Sequence, residues 1–102
     1  MIRILKLSTP VNNPQKLHRE LEKFYGHGET LLIGGTLKGN ETPANMMALI
    51  NYADADVVLV DEHFPGEILQ DIRPQCQRMR VDLILVCTSE LGDFSCLAKE
   101  VA

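Results

Sequence analysis

Residues 56–66, Asp-Val-Val-Leu-Val-Asp-Glu-His-Phe-Pro-Gly, constrain the fold more than any other stretch of this chain. Val57 to Val60 is an unbroken aliphatic run, β-branched at every position but Leu59, with an acid on each side. A run this short and this apolar reads as a strand buried on both faces, the signature of a central strand in a parallel sheet. Asp61 then stands at the strand's carboxyl end, followed by a loop that Pro65-Gly66 closes. In open α/β sheets, ligands and chemistry gather at that edge.

The segments on either side agree with that reading. Ile2 to Leu7 sets apolar residues against Arg3 and Lys6 as a first strand, and Ser8-Thr9-Pro10 ends it. Asn13-Pro14 starts a helix, with Asn as the cap and Pro at the first helical position, where its missing N–H has no partner to lose. Leu17, Leu21 and Phe24 form the apolar stripe of that helix, and Gly26 and Gly28 stop it. Thr30 to Ile33 is a second strand, leading into Gly34-Gly35. Thr42-Pro43 repeats the cap-then-proline signal, and the helix through Met46, Met47, Leu49, Ile50 and Ala53 is apolar over much of its circumference. The central strand follows. Glu67 to Arg80 is helical with a break or kink expected near Ile72-Arg73, because Pro74 removes a hydrogen bond and crowds the preceding turn. Val81 to Val86 is a fourth strand, Leu91-Gly92-Asp93 a turn, and Phe94 to Val101 a short last helix.

The alternation β-α-β-α-β-α-β-α predicts one α/β domain over residues 1–102: a three-layer α/β/α sandwich around a four-stranded, all-parallel sheet of order 2-1-3-4. A chain of 102 residues suits a single core. Net charge is −4 with no basic run, and the nearest thing to a basic cluster is Arg73, Arg78 and Arg80 around one proline, so a nucleic-acid footprint is missing. The first residues are too short and too charged for a signal peptide, and no stretch approaches a membrane span; a cytoplasmic location is expected. Cys76, Cys87 and Cys96 lack CxxC spacing and argue against a disulfide framework or zinc site. Cys87, beside the run Leu83 to Val86, reads as a small buried hydrophobe. No metal and no cofactor is expected.

Several partial motifs fail on chemistry. Gly34-Gly35-Thr36-Leu37-Lys38-Gly39-Asn40-Glu41 has glycines at the outer spacing of a Walker A loop, but Asn40-Glu41 replaces the Lys and hydroxyl residue that phosphate and magnesium require. Its glycines and Lys38 could still offer an anion site through backbone N–H groups. Asp61, His63 and Gly66 spell D-x-H-x-x-G, similar to the cobalamin-binding signature of base-off corrinoid proteins. That motif belongs after the first strand, however, with a serine and a glycine pair downstream. His63 has no orienting partner visible in sequence, and Ser89 and Ser95 have no evident base.

Residues 56–89 resemble a two-component receiver domain. Val57 to Asp61 with Pro65-Gly66 is similar to the third strand and phosphoacceptor loop of that family, and Leu83 to Ser89 to its fourth strand, which ends in a hydroxyl residue. The resemblance implies a flavodoxin-like fold, with Asp61 at the phosphoacceptor position and Thr88 at the switch hydroxyl. An Asp carboxylate would attack phosphorus, and the neighbouring hydroxyl would sense the new charge. The departures define the expectation. The place of the acidic pair that holds Mg²⁺ reads Leu7-Ser8-Thr9, a poor cage for a cation that needs charged oxygen ligands. The fifth strand, with its lysine, is expected to be lacking, since the chain stops at Ala102. The resemblance therefore implies a degenerate receiver: a regulatory, protein-interaction module that is neither phosphorylated nor an enzyme. Its fourth strand is expected at the sheet edge, covered by a homodimer or another protein through Leu85, Leu91, Phe94 and Leu97.

Two alternatives stay open. One is a small-ligand domain binding a nucleotide or anion at the strand ends, through Ser8, Thr9, Gly34, Gly35, Lys38, Asp61, His63, Thr88 and Ser89. The other is a fragment of a larger enzyme, since Ala53 to Val58 and the region to Glu90 are similar to the amino-terminal segment of magnesium and cobalt chelatase large subunits.

Overall fold

The computed structural model describes residues 2–7, 12–26, 30–34, 39–91 and 93–99. They form an α/β domain with strands β1 (Ile2–Leu7), β2 (Thr30–Gly34), β3 (Val57–Asp61), β4 (Asp82–Thr88) and β5 (Phe94–Lys99), and helices α1 (Pro14–Tyr25), α2 (Pro43–Ala53) and α3 (Gly66–Arg78). The sheet runs β2-β1-β3-β4-β5. β1 pairs in parallel with β2 and β3, and β3 with β4. β5 pairs antiparallel with β4.

Every residue of β3 is buried, with Val57 to Val60 no more than 1% exposed. Its side chains divide between two cores by strand alternation. Val58 and Val60 join Leu5, Leu7 and the inner faces of α2 and α3. Val57 and Leu59 join Ile4, Ile84, Val86 and the α1 residues Leu17 and Leu21. Helices thus cover both faces, as right-handed crossovers require when the chain steps one way from β1 to β2 and then reverses through β3 to β4.

Local signals act as their chemistry dictates, with two exceptions. Thr42 caps α2, its Oγ1 accepting from the Asn45 N–H at 3.1 Å. Gly26 ends α1 at φ +86°, a left-handed value that suits glycine. Asn13, expected to cap α1, makes no side-chain cap bond. Its Oδ1 instead accepts from the Phe94 N–H at 2.5 Å, tying the start of α1 to β5. The expected break near Ile72-Arg73 is also absent: α3 runs through Pro74 to Arg78. Pro74 is exposed while Ile68, Ile72 and Cys76 are buried, so the proline stands on the solvent side and the apolar stripe on the core side.

The larger correction lies at the carboxyl end. Residues 94–99 are a strand, not a helix, so the sheet has five strands and is mixed rather than four-stranded and all parallel. The turn Ser89 to Asp93 closes on itself, with the Ser89 N–H donating to the Asp93 carbonyl at 2.8 Å and the Asp93 N–H donating to Ser89 Oγ at 3.1 Å. An antiparallel hairpin needs no crossover helix, so so short a turn suffices. The register slips after Cys87↔Cys96, since Thr88 pairs with Phe94, leaving Ser95 as the extra residue of a β-bulge. The bulge reverses the alternation and puts Phe94 and Leu97 on one face, both against the α1 core.

The fourth strand is therefore not an edge. Leu85, expected at an interface, packs against the α2–α3 core, and Phe94 is only 2% exposed. Leu97 is half-buried and Leu91 stands exposed in the turn.

Candidate functional site

The carboxyl ends of β3 and β4 bring together Asp61 and Thr88. Asp61 pairs with Val86, so Thr88 stands two residues further along the neighbouring strand. Asp61 is 3% exposed, the one buried charged residue among those described. Its Oδ1 accepts from the His63 N–H at 3.0 Å, and its carbonyl accepts from the Phe64 N–H at 3.1 Å. Buried Phe64 is inserted into the α2–α3 core. The loop is thus folded back over the carboxylate, with a side-chain anchor on one side and a main-chain donor on the other.

The hydroxyl of Thr88 donates to Glu62 Oε1 at 2.5 Å. This bond, followed by Glu62's own backbone N–H, holds the Glu62 carboxyl below its usual range, against the opposing effects of burial and the Asp61 charge. Glu62 lies in the turn just beyond β3, and its contact with Thr88 depends on how that turn folds, which no residue pattern in the sequence signals. His63 is exposed, with Nε2 4.0 Å from Glu62 Oε1. Ser89 is engaged in the β4–β5 turn. Gly34 ends β2 opposite Lys6. Ser8, Thr9, Gly35 and Lys38 lie outside the described residues.

No family model, no curated protein and no solved structure matches this chain.

A second feature lies beside this edge. A groove of about 390 Å³ separates the amino-terminal ends of α2 and α3, lined by Gly39, Glu41, Thr42, Pro43, Pro65, Glu67, Ile68 and Asp71. Its size is that of a small-molecule cleft, but its described charges are all carboxylates. The Gly39 N–H, which an anion would use, already donates to both oxygens of Glu41, at 3.0 and 3.1 Å. Among the described residues no group of three His, Cys, Asp or Glu side chains is arranged to hold a metal. No helix among them is long and apolar enough to cross a membrane.

Proposed function

We propose that this chain is a degenerate, receiver-like module of flavodoxin-like architecture that binds a protein rather than carrying out phosphoryl transfer. The observation that carries the reading is the closed state of the strand-end pair: Asp61 lies buried under its own loop, and the Thr88 hydroxyl is turned to Glu62. A nucleophile for phosphorus must be reachable and paired with a cation that draws charge off the phosphoryl group, and Asp61 is shielded from such an approach. The nucleotide or anion alternative draws less support, since the groove beside the site is lined with carboxylates and Glu41 occupies its amide.

The partner surface moves with the corrected topology. β5 is the last strand of the sheet, and Phe94 to Ala98 carries no charge and no proline. Such an edge invites pairing with another strand. A second copy of the chain or another protein would add there, with Leu91 beside it in the exposed turn.

The test is incubation with acetyl phosphate and Mg²⁺ followed by intact mass. No phosphoryl adduct is expected. A single adduct that disappears in Asp61→Ala would overturn the non-phosphorylated reading. Sedimentation at high micromolar concentration tests the homodimer: self-association lost in Ala98→Lys is the expected signature, and a monomer in both proteins rules out the dimer in favour of a different protein.

A further inference from the structure

Two of the three cysteines, separated by eight residues in sequence, are brought face to face by the hairpin. Cys87 on β4 and Cys96 on β5 are direct partners in the antiparallel register. Residues directly opposite in such a ladder project to the same face, with Cα atoms about 4.5 or 5.5 Å apart according to the type of pair. Both spacings fall within the range of about 4.4–6.8 Å that a disulfide spans. The bulge lies beyond this pair, between Cys87 and Thr88, so the register at the pair itself is regular.

The remaining surroundings suit chemistry at this pair. Val86 and Leu97 face α1, so alternation turns Cys87 and Cys96 to the other face of the sheet. There Cys96 and Ala98 are exposed and Cys87 is half-buried, not the buried hydrophobe expected from its sequence neighbours. Cys76 is buried within α3 in the core and takes no part. The pair is also held in place from outside the hairpin: Asn13 binds the Phe94 N–H, and Asn12 Nδ2 donates to the Leu91 carbonyl at 2.6 Å.

We infer that Cys87 and Cys96 form a reversible intramolecular disulfide by exchange with a small-molecule disulfide such as oxidised glutathione, locking β5 to β4. The thiolate of exposed Cys96 attacks one sulfur of the oxidant, breaking its S–S bond and releasing one thiol. Cys87 then gives up its proton and attacks Cys96 Sγ, expelling the second thiol. The protein loses two electrons and two protons, and the small disulfide, reduced, leaves as two thiols. Burial, and then the hydrogen bond and charge of Cys96, push the Cys87 thiol up, which assigns the first attack to Cys96. The ring closed by the bond contains Thr88 and the turn, so oxidation would stiffen the side of the candidate site that β4 supplies.

The inference is tested by equilibrating the full chain in glutathione buffers and counting thiols after denaturation, with peptide mapping of the bond. The reduced chain has three thiols. Oxidised wild type is expected to retain one, on Cys76, with a melting temperature raised by ~10 °C. Cys96→Ser, an exposed and conservative change, is expected to keep both remaining thiols and show no such rise. Cys87→Ser is expected to stop at a glutathione adduct on Cys96. Wild type that stops at that adduct with Cys87 still free, or that links two chains instead, would overturn the inference.

Discussion

Replacing Phe94 by alanine puts the corrected carboxyl-terminal strand to a quantitative test. Phe94 begins β5, is 2% exposed and belongs to the core between the sheet and α1. Lys16 Nζ lies 5.8 Å from the centre of its ring. A phenylalanine buried to this degree withdraws about 150–250 Å² from water. At about 25 cal/mol per Å², less what an alanine methyl keeps and less the burial already present in a compact unfolded chain, this comes to about 2–3 kcal/mol, to which the cavity left behind adds. Buried Phe→Ala changes fall at about 3–5 kcal/mol, so about 4 kcal/mol is expected. A domain of this length has a total stability of about 5–15 kcal/mol, so the variant would be left close to its limit. With a urea slope of about 1–1.5 kcal/mol per M, the midpoint should fall by about 3 M. Leu91→Ala is the control: Leu91 is 81% exposed, and its removal should change stability by no more than about 0.5 kcal/mol. Had residues 94–101 formed a helix offering Phe94 to a partner, with Leu91 beside it in the turn, the two variants would behave alike in the isolated chain. A loss below about 1 kcal/mol for Phe94→Ala would refute the assignment of β5 to this core.

Asp61→Ala should cost about 1–3 kcal/mol by leaving the His63 N–H without its acceptor, whereas Asp61→Asn, which keeps an oxygen there, should cost less; chemical denaturation of both separates the cases. Thr42→Ala removes the cap of α2 and should cost about 1 kcal/mol by the same measurement. Thr88→Val should raise the pKa of Glu62 toward its ordinary value, followed by carboxyl NMR shifts against pH; an unchanged titration would mean that the Thr88 hydroxyl is not what holds it down. Tyr25 donates to Asp82 Oδ2 at 2.9 Å, and its phenol is pushed well above its ordinary value of 10.0 by burial, then by the Asp82 hydrogen bond and charge. A raised folded-state pKa gives stability that is whole below pH 10.0 and is lost as pH rises from there. Urea midpoints should therefore fall more steeply above that pH in the native chain than in Tyr25→Phe, and equal slopes would argue against the Tyr25–Asp82 bond.

What could be read from the chain alone was whatever depends on local chemistry. The aliphatic run of β3 can only be buried on both faces. Thr42-Pro43 can only open a helix, and Gly26 supplies the left-handed turn that closes α1. These signals act within a few residues, and together they settle the α/β class. They also place Asp61 at a strand end and Thr88 at the end of the next strand, which is as much of the candidate site as the sequence revealed.

The rest required the tertiary structure, for one recurring reason: a partner far away in sequence changed the meaning of a local pattern. Phe94 and Leu97 stand three apart, the spacing of a helix face, yet a β-bulge at Ser95 gives the same spacing on a strand. The choice between the two falls to β4, whose unpaired backbone edge takes β5 as a partner. Asn13 has the chemistry of a cap, but Phe94, 81 residues further along, takes its oxygen. Pro74 should break or kink α3, but the helix runs on past it, with the stripe Ile68, Ile72 and Cys76 buried in the core. The pairing of Thr88 with Glu62, and of Cys87 with Cys96, likewise exists only in the register of neighbouring strands. Side-chain chemistry is written residue by residue, but which groups face one another is decided by the backbone hydrogen bonds that set that register.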